Sequence, residues 1–147
     1  MVFKYGQKTM KKIFYSICLV LFLAGLGWTQ EENAVKTDVL AKTSISWDGM
    51  DLPEYAKGKP EITILKIKIP PKTKLPLHKH PVINAGVLLK GTLTVVTEKN
   101  EKLQLKAGDS IIEVVNKWHY GINEGNEFAE IIVFYAGVQG SAITVKK

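Results

Sequence analysis

The chain has 147 residues, enough for one domain with a sizeable core, and a formal net charge of +6 at pH 7. All 20 basic residues are lysine. Without the bidentate fork of arginine, nucleic acid is not an expected partner. The charge is also concentrated at the start: from residue 30 onward, 16 lysines face 14 acids, a net of +2 that makes no polyanion-binding surface.

Residues 1–29 read as a secretory signal. Lys11 and Lys12 precede an apolar run from Ile13 to Leu26, and Gly25, Gly27 and Thr29 supply small residues before Gln30. Met10 opens the same pattern, and cleavage is expected near Gly27/Trp28 or Thr29/Gln30. The run is short for a membrane span, so no stable span is expected once the leader is removed. An uncleaved anchor or a buried helix is the alternative. The expected location is outside the cytoplasm, periplasmic or secreted. Cys18, the one cysteine, lies inside the run. A cleaved chain would therefore have no disulfide, thiolate ligand or cysteine nucleophile.

Residues 30–42 read as a polar linker or one weak helix, and residues 43–147 as the folded domain. Trp47-Asp48-Gly49 marks a turn, and the segment from Leu52 to Pro60 a punctuated loop. Glu61 to Ile69 then alternates, with Thr63, Leu65, Ile67 and Ile69 on one face and Ile62, Ile64, Lys66 and Lys68 on the other. Further short strands are expected over 87–89, 92–97, 102–105, 110–115 and 128–135. Gly91, Asn100, Gly108 and the cluster from Asn123 to Glu127 supply turns. Phe134 and Tyr135, in an apolar run, read as core. Many short strands at about ten-residue spacing indicate an all-β sandwich or barrel.

All three histidines fall between Pro76 and Asn123. His78 and His80, two apart in an extended proline-flanked segment, would share one strand face. His119 follows beyond a second glycine-marked turn. Three imidazoles in a strand-built pocket are what a divalent metal requires. Asn84 can be read as a weak oxygen ligand or as support for a turn before Gly86. Glu113, amid Ile111, Ile112, Val114 and Val115, is a candidate catalytic general base, a fourth ligand or a group orienting an imidazole; the alternative is an outward strand glutamate. Trp118 and Tyr120 flank His119 and should point away from it. No phosphate loop, dinucleotide fingerprint or Ser-His-Asp arrangement is present.

The spacing of these residues resembles the cupin superfamily, whose two motifs are G-x5-H-x-H-x3-4-E-x6-G and G-x5-P-x-G-x2-H-x3-N. His78, His80 and Gly91 match the first, and Gly108, His119 and Asn123 the second. Lys72, Asn84, Val114 and Asn116 replace the motif glycine, glutamate, proline and second glycine. The resemblance, over residues 43–147, implies a jelly-roll barrel with His78, His80, His119 and position 84 as metal ligands. Asparagine at 84 exchanges an anionic ligand for a neutral amide, while asparagine at 116 tolerates the left-handed conformation of a glycine turn.

On ligand type, iron, zinc, manganese, nickel or copper would each fit. The expected function is a metal-dependent enzyme of oxygenase, isomerase or lyase type acting on a small molecule. The alternative is a non-catalytic barrel that holds a small ligand or the metal itself. A barrel with exposed strand edges should form a homodimer, through part of residues 43–69.

Overall fold

The structure, a computed structural model, describes residues 34–147. The leader expected over 1–29, and the first residues of the expected linker, lie outside the described residues. Residues 34–42 are exposed and carry no strand or helix.

Alternation in the sequence becomes alternation in burial. Strand β1 (Pro60–Ile69) turns Leu65, Ile67 and Ile69 inward and Ile62, Ile64, Lys66 and Lys68 outward, as expected. Nine more strands follow: β2 (Thr73–Lys74), β3 (His78–Lys79), β4 (Ile83–Lys90), β5 (Thr92–Thr97), β6 (Lys102–Lys106), β7 (Ser110–Ile112), β8 (His119–Asn123), β9 (Ala129–Val138) and β10 (Val145–Lys146). They form two antiparallel sheets, one ordered β1-β9-β4-β7 and the other β10-β3-β8-β5-β6 with β2 beside β8. The described residues contain no helix. The inner faces of both sheets meet over Ile69, Leu88, Leu93, Val95, Ile111, Ile131 and Val133. This is the all-β jelly roll expected.

Two motif-glycine positions are taken by other residues, and both have the left-handed backbone that glycine accepts most readily. Lys72 has φ 55° and Asn116 φ 56°, both left-handed. Asparagine takes this readily; for lysine it costs about 1 kcal/mol, and the Lys72 ammonium bonds the Glu124 carbonyl at 2.6 Å. Where the motif glycine is retained, at Gly91 (φ 74°), an added Cβ would stand 2.7 Å from the Phe128 carbonyl oxygen. Asn123, fully buried, donates to the carbonyls of Ile69, Pro70 and Glu127 and accepts from the Gly125 amide. It fastens the end of β8 to the end of β1, a turn-forming role rather than a catalytic one.

Several readings differ from the structure, among them the strand expected over 110–115, which ends at Ile112 as β7. Strand β4 begins at Ile83, not Val87, because Asn84 and Gly86 are strand residues and not turn residues. A Cβ on Gly86 would lie 3.0 Å from the Ile132 carbonyl oxygen, so the glycine serves close approach to β9. Residues 119–123, not assigned as a strand, form β8. Phe134 is not core: it is 46% exposed, because alternation along β9 sends Ile131, Val133 and Tyr135 inward and Phe134 out.

The amino-terminal turn is built into this frame. The Trp47 amide donates to the Ile112 carbonyl, and Gly49 closes the expected turn with φ 82°. The buried Asp48 carboxylate accepts from Ser46 and pairs with Lys117, two residues before His119. Burial works to raise the Asp48 pKa, but the hydrogen bonds from Lys117, Ser46 and the Met50 amide outweigh it and hold the carboxyl below its ordinary range. A pKa lower in the folded than in the unfolded state contributes stability above the unfolded value, lost as pH falls through the folded one. Asp48→Asn should therefore cost about 1–2 kcal/mol at pH 7 after solvent screening at Lys117. The difference from the parent protein should shrink toward pH 3. Thermal melting across that range checks this; an unchanged melting temperature at pH 7 would contradict it.

Candidate metal centre

Prolines set the local path of the first two histidines. Pro76 and Pro81 hold Leu75 and His80 extended, so the H-x-H segment is strand-like and His78 and His80 share a side. Strand β3 pairs with β8 so that His78 stands opposite His119, and His80 bridges to Val115 while its carbonyl accepts from the Asn116 amide. The three ring centroids form a nearly equilateral triangle with sides of 4.5, 5.0 and 5.1 Å. One nitrogen from each ring lies within 4.8 Å of the others.

Each imidazole is oriented by a backbone carbonyl. The Nδ1 of His78 bonds the Pro76 oxygen at 2.8 Å, that of His80 the Ile143 oxygen at 2.8 Å, and that of His119 the Lys117 oxygen at 2.9 Å. A carbonyl can only accept, so each Nδ1 carries the proton and each neutral ring presents the Nε2 lone pair. Burial lowers all three pKa values. For His80, burial first and repulsion from His119 and His78 second outweigh the Ile143 carbonyl and take it to about 4. At neutral pH the cluster is three neutral donors, the form a cation needs.

Glu113 lies on the inward side of its segment and lines the same cavity, 8% exposed. Its Oε2 is 3.6 Å from His119 Nε2, too far for a hydrogen bond. Burial pushes the Glu113 carboxyl up to about 7, against the His78 charge and the Val114 amide. With the histidine pushed down and the acid pushed up, burial disfavours a charged ion pair between them. Both Glu113 Oε2 and His119 Nε2 are buried without a partner. Buried polar atoms are rarely left so. A divalent cation held by His78, His80 and His119 would satisfy the histidine nitrogen and place positive charge beside the carboxylate. The residues fit a metal.

Asn84 is 1% exposed on the inward side of β4, beside Tyr135 in register, with its Oδ1 unpartnered. It is not among the residues that line the cavity. Trp118 and Tyr120 are not among the residues that line the cavity with the histidines. The Lys79 and Lys147 ammonium groups stand 5.1 and 5.6 Å from the Trp118 ring centroid, and Lys74 3.8 Å from that of Tyr120.

Some of the cavity comes from residues that the sequence did not mark as part of the site. Tyr135 closes it beside His80, the rings 5.3 Å apart edge to face. Burial, reinforced by Glu113, pushes its phenol up to about 12, so it remains a donor at neutral pH. The carboxy-terminal segment supplies the Ile143 carbonyl, Thr144, whose hydroxyl lies 3.2 Å from His80 Nδ1, and Lys146. The one sequence signal for Tyr135 was its place in the inward series with Ile131 and Val133. Nothing local signalled the last strand.

Residues 65–135 match the family model of the cupin domain, and with this fold the chain belongs to the cupin superfamily. Solved structures share the fold at low identity. The DMSP lyase DddQ from Ruegeria pomeroyi DSS-3 has a TM-score of 0.52 at 19% identity, over 58% of this chain and 43% of that one. An uncharacterised conserved protein with a double-stranded β-helix domain from Klebsiella pneumoniae subsp. pneumoniae MGH 78578 gives 0.50 at 20%, over 62% and 89%. The polyketide cyclase RemF from Streptomyces resistomycificus gives 0.50 at 13%, over 61% and 63%. The match thus spans less than half of the lyase. No curated protein matches the chain.

Alanine at His78, His80 or His119 should each remove most of the bound metal. Folding should survive, because the apolar strands supply the core; loss of one hydrogen bond costs about 1 kcal/mol. Metal content by emission spectroscopy and thermal melting would be read on all three variants. Full metal occupancy in all of them would contradict the assignment.

Proposed function

We propose that the protein is an exported cupin enzyme that holds a divalent metal through His78, His80 and His119 and transforms a small molecule, with Glu113 as its acid or base. The observation that carries this reading is the position of Glu113: buried, its Oε2 without a hydrogen-bond partner, in the cavity that the three histidines line. A barrel that only stored an uncharged ligand would gain nothing from a carboxyl with an unpartnered oxygen there. When bound, a divalent ion supplies Lewis acidity toward an oxygen of the small molecule. The protein's own part is orientation and proton handling. Three carbonyls hold the imidazoles, Glu113 Oε2 takes or returns a proton at the bound molecule, and the Tyr135 hydroxyl donates from the adjoining wall. The aliphatic lining limits access of water.

Protein purified without an affinity tag should contain a stoichiometric divalent metal. The metal-loaded protein would be screened on small carbonyl and carboxylate compounds for dioxygen uptake, isomerisation and elimination. Glu113→Gln should retain the metal and lower the rate found by about 10²–10⁴-fold. Equal turnover by the variant would remove Glu113 from the chemistry, and a protein that never takes up metal would leave the plain binding barrel as its function.

Export rests on the Lys11–Leu26 pattern, and we extend the proposal to a homodimer. Supporting the dimer, Ile62, Ile64 and Phe134 are exposed together on the outer side of the first sheet, with Ile64 opposite Phe134 and β1 at the sheet edge. Lys66 and Lys68, paired with Glu130, border them. Light scattering of protein from its native host should give twice the chain mass, and Ile64→Lys should halve it. Amino-terminal sequencing of the same sample should begin near residue 28 or 30. A monomer at every concentration, or an intact Met1 or Met10, would refute the respective part.

A further inference from the structure

The cavity beside the histidines has a volume of about 200 Å³, and its walls are mainly aliphatic, among them Leu65, Ile67, Leu75, Leu93 and Val133. Apart from the histidines, the polar side chains facing it are Glu113, Tyr135, Thr144 and Lys146. A polyhydroxylated molecule would lose its water against the aliphatic walls and find replacement partners only on the histidine side, so a sugar-like ligand is disfavoured. A hydrocarbon body would gain from the same walls.

The single lysine among the lining residues is placed for recognition. Strand β10 pairs with β3 so that Lys146 stands opposite His78, while Val145 stands opposite Lys79. Cross-strand partners share a face, so Lys146 is on the cavity side with His78, and its neighbour is on the outer side with Lys79. Lys66, Lys68, Lys90, Lys117 and Lys147 are engaged in ion pairs, whereas Lys146 has no ion-pair partner among the described residues. A free cation at the mouth and a hydrocarbon-lined interior select for two opposite properties in one molecule.

We propose that this cavity takes a small amphipathic anion: a carboxylate on a hydrocarbon body of about six carbons, since an aliphatic cavity of about 150 Å³ already accommodates benzene. The carboxylate lies toward Lys146 and the histidine face, and the hydrocarbon on the wall formed by Leu65, Ile67, Leu93 and Val133. Lys146 is then the specificity-determining residue for the head group. This deepens the enzyme reading above and rests on it for the second attraction on the head group, whereas the contributions of Lys146 and the wall do not require the metal.

The test is an NMR titration of the purified protein, with and without added zinc, using hexanoate, 1-hexanol and gluconate as probes. Hexanoate should bind about tenfold more tightly than 1-hexanol or gluconate, a difference of about 1.4 kcal/mol. Lys146→Gln should abolish the preference for hexanoate over 1-hexanol in the zinc-free protein without weakening 1-hexanol, and Lys146→Arg should restore it. Gluconate binding as tightly as hexanoate, no binding of hexanoate, or a preference indifferent to Lys146→Gln would overturn the proposal. A protein that takes up no zinc but keeps the Lys146-dependent preference would refute the metal-dependent enzyme and leave this ligand class standing.

Discussion

Three hydrogen bonds from imidazole Nδ1 to backbone carbonyls are the constraint on which the site depends. Pro76, Ile143 and Lys117 each present an oxygen that can only accept. Each ring must then hold its proton on Nδ1, and each Nε2 is left with a lone pair. Burial keeps all three rings neutral by lowering their pKa values. A rotated ring or the other tautomer would turn a donor pair into an N–H and remove a ligand. Neither side-chain chemistry nor the barrel alone decides this; the path of the backbone around each histidine does.

The surrounding structure can be understood as a means of fixing those three carbonyls. Two are local, each two residues before its histidine, so the chain that delivers the ring also orients it. The third is remote. Ile143 reaches His80 because the carboxy-terminal strand β10 pairs with β3, and because Lys147 donates to the Leu77 carbonyl. The segment leading into His119 is held from the other side by Asp48 on Lys117, and strand β8 is held at its far end by Asn123. Beside this triad, Glu113 Oε2 stands 3.6 Å from His119 Nε2 and has no hydrogen-bond partner.

Much of this was legible in the sequence, for identifiable reasons. The period-two pattern of residues 61–69 survives because that strand has one buried side, and the histidine spacing survives because two short motifs carry it. Lys72 and Asn116, at two motif-glycine positions, both take left-handed backbone. The misreadings share a cause. Asn84 and Gly86 are turn-forming types, but β9 lies close enough over Gly86 to require its missing side chain. Phe134 sits in an apolar run whose alternation decides exposure, and hydrophobicity alone does not reveal which parity faces out. The parts that stayed invisible are long-range: Tyr135 beside His80, the Ile143 carbonyl and Lys146 opposite His78 arise from strand pairings separated by more than fifty residues. No local pattern encodes such a pairing.

The most direct measurement of the central claim is NMR of the uniformly ¹⁵N-labelled protein loaded with ¹¹³Cd as a spectroscopic substitute for the native ion. One-bond coupling reports which imidazole nitrogen is bonded to the metal. The carbonyl geometry predicts coupling from the Nε2 of His78, His80 and His119 to one cadmium, with a proton retained on every Nδ1. Coupling through any Nδ1, or to fewer than three of these histidines, would contradict the account.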